Sequence, residues 1–381
     1  MTGVKGGWIG RIRGALSEYV CSSIGLAVVL MTPDVSLVHA SPAEFSIARE
    51  GTPLVFPRDH GAHPNYQTEW WYYTGHLVPA GADIFSSAER IGVQLTFFRR
   101  AQRDKRGEVG QTYLAHAAIA DIAAQTFQAD HRIAGDTLGL AGAAESRLDV
   151  WHLDWFAEQF GDRHVLSFGL PALNPTTEIR LIGEESTVML QGDGGLSRKS
   201  ECPTCASMYY SLPRIAVRGH ITRNGRVTPV HGLVWMDHEY MTNVLQPGQA
   251  GWDWVSLMFR DGTNVMAFRI RDRAGQSVFS AGGLERAGVF TPLHGADVSL
   301  TPLAETWRST TTGAVYPTGF RVVIPGHGID TTVRSLLPNQ EVPGDGGAGI
   351  AYYEGAVRNE ERTAIGYLEM TGYARPLDGE L

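Results

Sequence analysis

The chain has 381 residues, of which 43% are hydrophobic, with 32 basic and 40 acidic side chains and a formal net charge of −8. This length allows two domains of ordinary size, each with a core of its own. The charge balance excludes nucleic acid as a partner, because phosphate binding needs a clustered basic surface.

The first 40 residues have the layout of an export leader. Lys5, Arg11 and Arg13 precede an uninterrupted apolar run over 24–31, Pro33 ends it, and Val38-His39-Ala40 offers a small-residue cleavage site. The run is shorter than the roughly 20 apolar residues that cross a bilayer. A periplasmic or extracellular mature protein with no membrane span is therefore expected.

The next stretch is dense in acids, imidazoles and rings. Pro57-Arg58-Asp59-His60-Gly61-Ala62-His63-Pro64 leads into Thr68-Glu69-Trp70-Trp71-Tyr72-Tyr73 and His76. Val93, Leu95 and Phe97 then alternate with Gln94, Thr96 and Phe98, which is strand spacing with one inward face. Arg99 and Arg100, with Arg103, Lys105 and Arg106 beside Gly107, read as a solvated turn. Trp151, Leu153 and Trp155, around His152 and Asp154, repeat the strand alternation. The spacing of Cys202 and Cys205 suits a short disulfide in an oxidising compartment, with free thiols or a redox or metal site the alternatives.

Asn224-Gly225 is a tight-turn dipeptide between two strands. The second dense cluster follows: His231-Gly232-Leu233-Val234-Trp235-Met236-Asp237-His238-Glu239-Tyr240, then Gly251-Trp252-Asp253-Trp254. Strand spacing puts His231, Leu233, Trp235 and Asp237 on one face and His238 on the other. Turns at Asp261-Gly262 and Ala274-Gly275 predict a three-strand meander, and the stretches from Tyr352-Tyr353-Glu354 and Gly366-Tyr367 predict a closing strand pair. An Asp-His pair precedes a tryptophan-rich strand in both clusters, which hints at a duplication.

The whole reads as all-β, with its edges removed by barrel closure. The expected division is a leader over 1–40, one domain over 41–225 and a second over 226–381. An aspartate on an aromatic wall inside a barrel loses hydration and keeps its proton, so it can protonate an alkene while tryptophan faces stabilise the cation. The competing reading is a buried polar network that fixes the barrels together. His60, His63 and His238 could also build a metal-dependent hydrolase, although Thr242 interrupts the zinc-protease helix motif begun by His238-Glu239. No serine-hydrolase elbow, phosphate loop or dinucleotide fingerprint is present.

The stretches FPRDHGAHPNYQTEWWYYTGHL, YYSLPRIAVRGHITRNGRVTPVHGLVWMDHEY, GWDWVSLMF, WRSTTTGAVYPTGF, YYEGAV and GYLEMTGY resemble the AttH-like branch of the carotenoid hydratase family. The resemblance implies two lipocalin-like antiparallel barrels packed together. Hydratases of that family add water to a double bond of an acyclic carotenoid without metal or redox cofactor, and the exported branch is encoded beside transporter components. By the resemblance, Asp237 is the acid, with His231, Trp235 and His238 around it. The expected site is thus Asp237, His238, His231 and Glu239 for catalysis, and Trp235, Trp252, Trp254, Trp70, Tyr72, Asp59, His60 and Glu69 for the ligand, with no cofactor. The expected partner is an apolar small molecule, cradled between the two barrels where the stretches 57–76 and 231–254 converge on a ring-lined hollow. A non-catalytic carrier serving an envelope transporter is the other reading, and barrel mouths are natural sites for either.

Overall fold

The computed structural model describes residues 44–170, 176–242, 245–344 and 350–377. The leader expected over 1–40 lies outside the described residues. Alternating side chains make strands of most of the described length. The first meander runs through β1 (Thr68–Pro79), β2 (Ile91–Arg103), β3 (Val109–Asp121) and β4 (Thr126–Gly135). Shorter strands follow: β5 (Ala141–Ala143), β6 (Asp149–His152), β7 (Trp155–Phe160), β8 (Arg163–Leu170), β9 (Thr177–Glu184), β10 (Met189–Leu190) and β11 (Leu196–Arg198). Two long strands, β12 (Ala206–Arg223) and β13 (Arg226–Met241), complete the set. They pair in the order β4-β3-β2-β1-β13-β12-β9-β8-β7-β6-β5, with β10 and β11 beside β12. This sheet curls until β4 lies against β6 and β8.

The second sheet opens with the expected meander, β14 (Gln249–Phe259), β15 (Asn264–Asp272) and β16 (Ser277–Arg286), extended by β17 (Val289–His294). Next come β18 (Ser299–Pro302), β19 (Thr306–Arg308), β20 (Val315–Pro317), β21 (Gly319–Ile324) and β22 (Ile329–Ser335). β23 (Glu341–Val342) and the closing pair β24 (Tyr352–Asn359) and β25 (Ala364–Met370) end it. The order is β17-β16-β15-β14-β25-β24-β22-β21-β18, with β23 beside β24 and β19 paired only to β20. The protein is all-β: two lipocalin-like antiparallel barrels with a few short 3-10 turns. In each, a four-strand meander joins the rest of its sheet through its first strand, β1 to β13 and β14 to β25. The tryptophan-rich strands occupy equivalent places in the two barrels. The Asp-His pairs do not, since Asp59-His60 sits in a 3-10 turn and Asp237-His238 in β13.

Three expectations need correction. The sheet changes between Met241 and Gln249, not at 225/226, because β13 pairs along its whole length with β12 and along much of it with β1. The Asn224-Gly225 turn, with φ of +47° and +79°, joins two strands of the same barrel. The strand expected through 151–155 is a hairpin: Leu153 is exposed at φ +58°, and His152 pairs with Trp155 across the turn. Arg99 is not in a wet turn; it is fully buried in β2 and ion-paired to Glu69.

Each barrel has its own core, built on Trp71, Tyr73, Leu95, Phe97, Trp155 and Met236 in the first and on Val255, Leu257, Tyr316, Phe320 and Tyr353 in the second. A third cluster, with Tyr72, Tyr209 and Trp235 against Trp254, Phe268 and Tyr367, lies between the barrels. Approach there is close. A Cβ on Gly92 of β2 would stand 2.7 Å from the Cβ of Ala356 and 3.0 Å from the Tyr367 hydroxyl.

Candidate functional site

Strand alternation sorts the two sequence clusters onto opposite faces. On β1, Glu69, Trp71 and Tyr73 point into the first barrel, while Trp70 and Tyr72 point toward the second. On β13, Met236 and His238 point inward, while Trp235, Asp237 and Glu239 point outward. Register places Trp71 opposite His238 and Tyr72 opposite Asp237. Asp237 and His238, adjacent in sequence, therefore belong to different environments.

The inward face holds a saturated polar network. The Glu69 carboxylate accepts from Arg99 Nε at 2.8 Å, His63 Nδ1 at 2.9 Å and His238 Nε2 at 2.9 Å. Burial alone would raise its pKa, but the bonds from His238 and His63 and the Arg99 charge outweigh that and hold the carboxyl well below its ordinary value. Burial pushes His238 down to about 4 despite Glu69, so its imidazole is neutral at pH 7. Its Nε2 faces Glu69, and its Nδ1 lies 3.0 Å from the Tyr210 hydroxyl and 3.1 Å from the Asp59 carbonyl. His60 lies 2.7 Å from the same hydroxyl, His63 reaches Asp59 at 3.1 Å, and Trp71 donates to the His60 carbonyl. Ligand atoms of His63, Glu69 and His238 lie within 4.8 Å of one another, as a metal would need. Glu69 is already neutralised by Arg99, however, and both imidazoles are spent on it. The arrangement is that of a scaffold.

The outward face lines a cavity of about 590 Å3 between the barrels, a size suited to a small organic ligand. The first barrel contributes Trp70, Tyr72, Phe98, Tyr209, Asp237 and Glu239 to its wall. The second contributes Trp252, Trp254, Phe268, Tyr352 and Glu369. Exposed Gln102 and Arg375 mark its opening to solvent. A second hollow of about 580 Å3 shares Phe268, but its acids, Asp193 and Glu201, are exposed.

Asp237 accepts from Ser211 at 2.5 Å, Tyr209 at 2.6 Å and Trp235 Nε1 at 2.7 Å. Burial raises its pKa to about 7; the three donors oppose this and nearby Glu239 adds to it. Glu239 is ion-paired to Lys199 at 2.7 Å and accepts from Ser207. Lys199 lies over the rings of Phe268 at 4.5 Å and Tyr209 at 5.1 Å. Its backbone N–H donates to the carbonyl of Cys205, which forms a disulfide with Cys202. On the opposite wall, Trp252 Nε1 donates to Glu369 at 2.5 Å, and burial followed by the Asp237 and Glu239 charges raises Glu369 to about 7 against that bond. Tyr72 donates to buried Glu354 at 2.7 Å, and burial and Glu369 hold Glu354 well above the usual carboxyl range.

Of the residues expected from sequence, Asp237, Glu239, Trp252, Trp254, Trp70 and Tyr72 meet at this cavity. Trp235 is fully buried behind it and supports it through its bond to Asp237 and an edge-on contact with the Trp254 ring. Asp59, His60, Glu69 and His238 lie in the inner network, because alternation turns them or their strand neighbours inward. His231 bonds the Ala82 carbonyl, eight residues from Glu239 along β13, and does not line the cavity. Sequence reasoning missed Lys199, Tyr209, Ser211, Glu354 and Glu369. A signal existed for two of them: Glu354 and Glu369 are the lone acids of the two closing strands, each among aromatic and aliphatic neighbours.

A model of the AttH-like family matches residues 47–373. The crystal structure of a Nitrosomonas europaea protein assigned as AttH is 34% identical, with 86% of this chain and 100% of that one covered and a TM-score of 0.76. Kievitone hydratase from Nectria haematococca shares the fold at 14% identity, with 88% and 98% of the two chains covered and a TM-score of 0.61. No protein of curated function matches the sequence. Among the described residues, no helix is long and apolar enough to cross a membrane.

Proposed function

The chain belongs to the AttH-like family, and from that premise we propose that it is an exported protein that takes an apolar, unsaturated small molecule into the inter-barrel cavity and transfers a proton to it. The observation that carries this reading is a pair of cavity carboxyls, Asp237 and Glu369, whose proton affinities sit near neutrality beside a wall of tryptophan and tyrosine rings. A carboxylic acid poised at that pH gives up and retakes a proton with little cost either way. Ring faces stabilise the cation formed when an alkene is protonated, and water or loss of a neighbouring proton then completes hydration or isomerisation. Acyclic isoprenoids and carotenoids are the substrate class proposed. Export is supported by the leader-like start of the chain and by the Cys202–Cys205 disulfide.

The experiment is incubation with squalene and with lycopene in isotopically labelled water, followed by mass spectrometry of the organic extract. A hydrated or isomerised product carrying the label is expected from wild type, and Asp237→Asn is expected to form it at least about tenfold more slowly. Undiminished product formation by Asp237→Asn overturns any part for Asp237 in the reaction.

One observation favours a second reading. Asp237 is only 3% exposed and fully hydrogen-bonded, as a purely structural acid would be. A carrier that hands its ligand to an envelope transporter would release the same compound that it took up, and neither polyene would be altered.

A further inference from the structure

We propose that Glu369, supplied by the second barrel, is the acid that touches the ligand, and that Asp237 is a positioning residue behind it. This rests on the reading of the inter-barrel cavity as the reacting site. The two carboxyls face the same space but differ in access. Both oxygens of Asp237 are occupied by donors, two of them on Oδ1 and Tyr209 on Oδ2, and the residue is almost wholly covered. Glu369 is only partly buried, and among the described residues its one hydrogen-bond partner is Trp252, on Oε1. Oε2 therefore remains for a ligand in the cavity.

The neighbours of Glu369 suit proton transfer. Trp254 lies opposite it in the β14–β25 register, and Trp252 holds its other oxygen, so two indoles flank the acid. Glu354 lies opposite it on β24. Two carboxyls side by side cannot both ionise cheaply, and Glu354 Oε2 is buried with no partner, so this pair retains protons at neutral pH. The other groups around the cavity are largely committed. Lys199 pairs with Glu239, Tyr72 donates to Glu354, Tyr209 donates to Asp237, and Tyr352 is bonded to His116 and Gln94. Arg100 and Arg375 belong to the more exposed part of the wall.

The step balances with water as the only co-reactant. The Glu369 O–H proton goes to one alkene carbon, the π pair forms the new C–H bond, and the O–H pair stays on the carboxylate. The cation left on the other carbon faces Trp252, Trp254 and Tyr72. Water adds to it and gives a proton back to Glu369; in an isomerisation, an adjacent carbon gives up the proton instead. Asp237 anchors Tyr209, which in turn accepts from Trp254 Nε1 at 3.1 Å, and so fixes the indole beside Glu369.

The first arm of the test needs no substrate. Dicyclohexylcarbodiimide is an apolar reagent whose central carbon takes the oxygen of a protonated carboxyl while the acid proton moves to nitrogen. With the full chain, peptide mass mapping is expected to find the adduct on Glu369 at about pH 6 and several-fold less at about pH 8. N-phenyl-1-naphthylamine filling the cavity is expected to protect it. Labelling of Asp237 with Glu369 spared, or of neither, overturns the proposal. The second arm follows deuterium uptake from heavy water into squalene. Glu369→Gln is expected to lower uptake at least about 100-fold with naphthylamine binding intact, whereas Asp237→Asn lowers it less and shifts its pH profile. Uptake that survives Glu369→Gln and is lost in Asp237→Asn overturns the proposal and leaves the cavity reading standing. Labelled Glu369 with no uptake by wild type sinks proton transfer as a whole.

Discussion

Asp237 shows how one residue couples folding to pH. In the folded protein it holds its proton up to about pH 7, whereas an unfolded aspartate releases it near about 3.9. Between those values the folded state binds more protons, so stability falls as pH rises through the window and the loss is complete above it. The separation corresponds to a ceiling of roughly 4 kcal/mol. Asp237→Asn removes the titration. Its melting temperature is expected to gain on wild type from about pH 4 to about pH 7 and to keep a constant difference beyond, as calorimetry at several pH values can read. A difference that ignores pH would mean that the carboxyl is solvated. Asp237 itself was legible in sequence as an acid among tryptophans. Its donors Tyr209 and Ser211 were not, because they come from β12, nearly 30 residues earlier in the chain, and meet Asp237 only through register.

At the scale of elements, β1 and β2 are joined by an ion pair with no access to water. Glu69 and Arg99 are direct register partners, both fully buried, and Arg99 also donates to Gln111 and to the carbonyls of His63 and Tyr66. Removing one charge strands the other in a medium that cannot solvate it. Arg99→Met is expected to cost about 3–5 kcal/mol in urea unfolding, and the Arg99→Met, Glu69→Met double variant is expected to recover much of it. Additive losses would show that the pair does not act as a unit. Here the sequence misled, since Arg99 stands beside Arg100 and close to the exposed 103–106 turn, and adjacency disguised opposite faces. The period-two pattern did separate Asp237 from His238 correctly. The expectation of a site at the barrel junction holds for the face carrying Asp237, but the other face of the same stretches, with Glu69 and His238, turns into the first barrel.

For the whole molecule, docking depends on surfaces that leave little slack. Gly92 meets Ala356 and Tyr367 of the second barrel without room for a methyl group. The imidazole of His76, which burial and then Arg90 push down to about 3, donates from Nε2 to the Gly366 carbonyl at 2.8 Å. Gly92→Val is expected to force the barrels apart, costing about 1–3 kcal/mol and weakening naphthylamine binding several-fold in a fluorescence titration. Binding and melting equal to wild type would mean that the junction yields freely. The paired-barrel architecture was legible through the family resemblance and the turn signals. The point of division was not, because β13 carries the same aromatic, acid-rich composition as the start of the next barrel.

β1, and β13 from Val230 onward, have no solvent side: one face of each packs inside a barrel, the other against its neighbour. Cut after β13, the first half would present Tyr72, Trp235, Tyr209 and Phe98 to water, and the second half would present Trp254 and Phe268. Neither piece has an interior that explains those rings. The chain is therefore expected to unfold as one cooperative unit, and the hollow between the barrels is also the seam along which the two halves recognise each other.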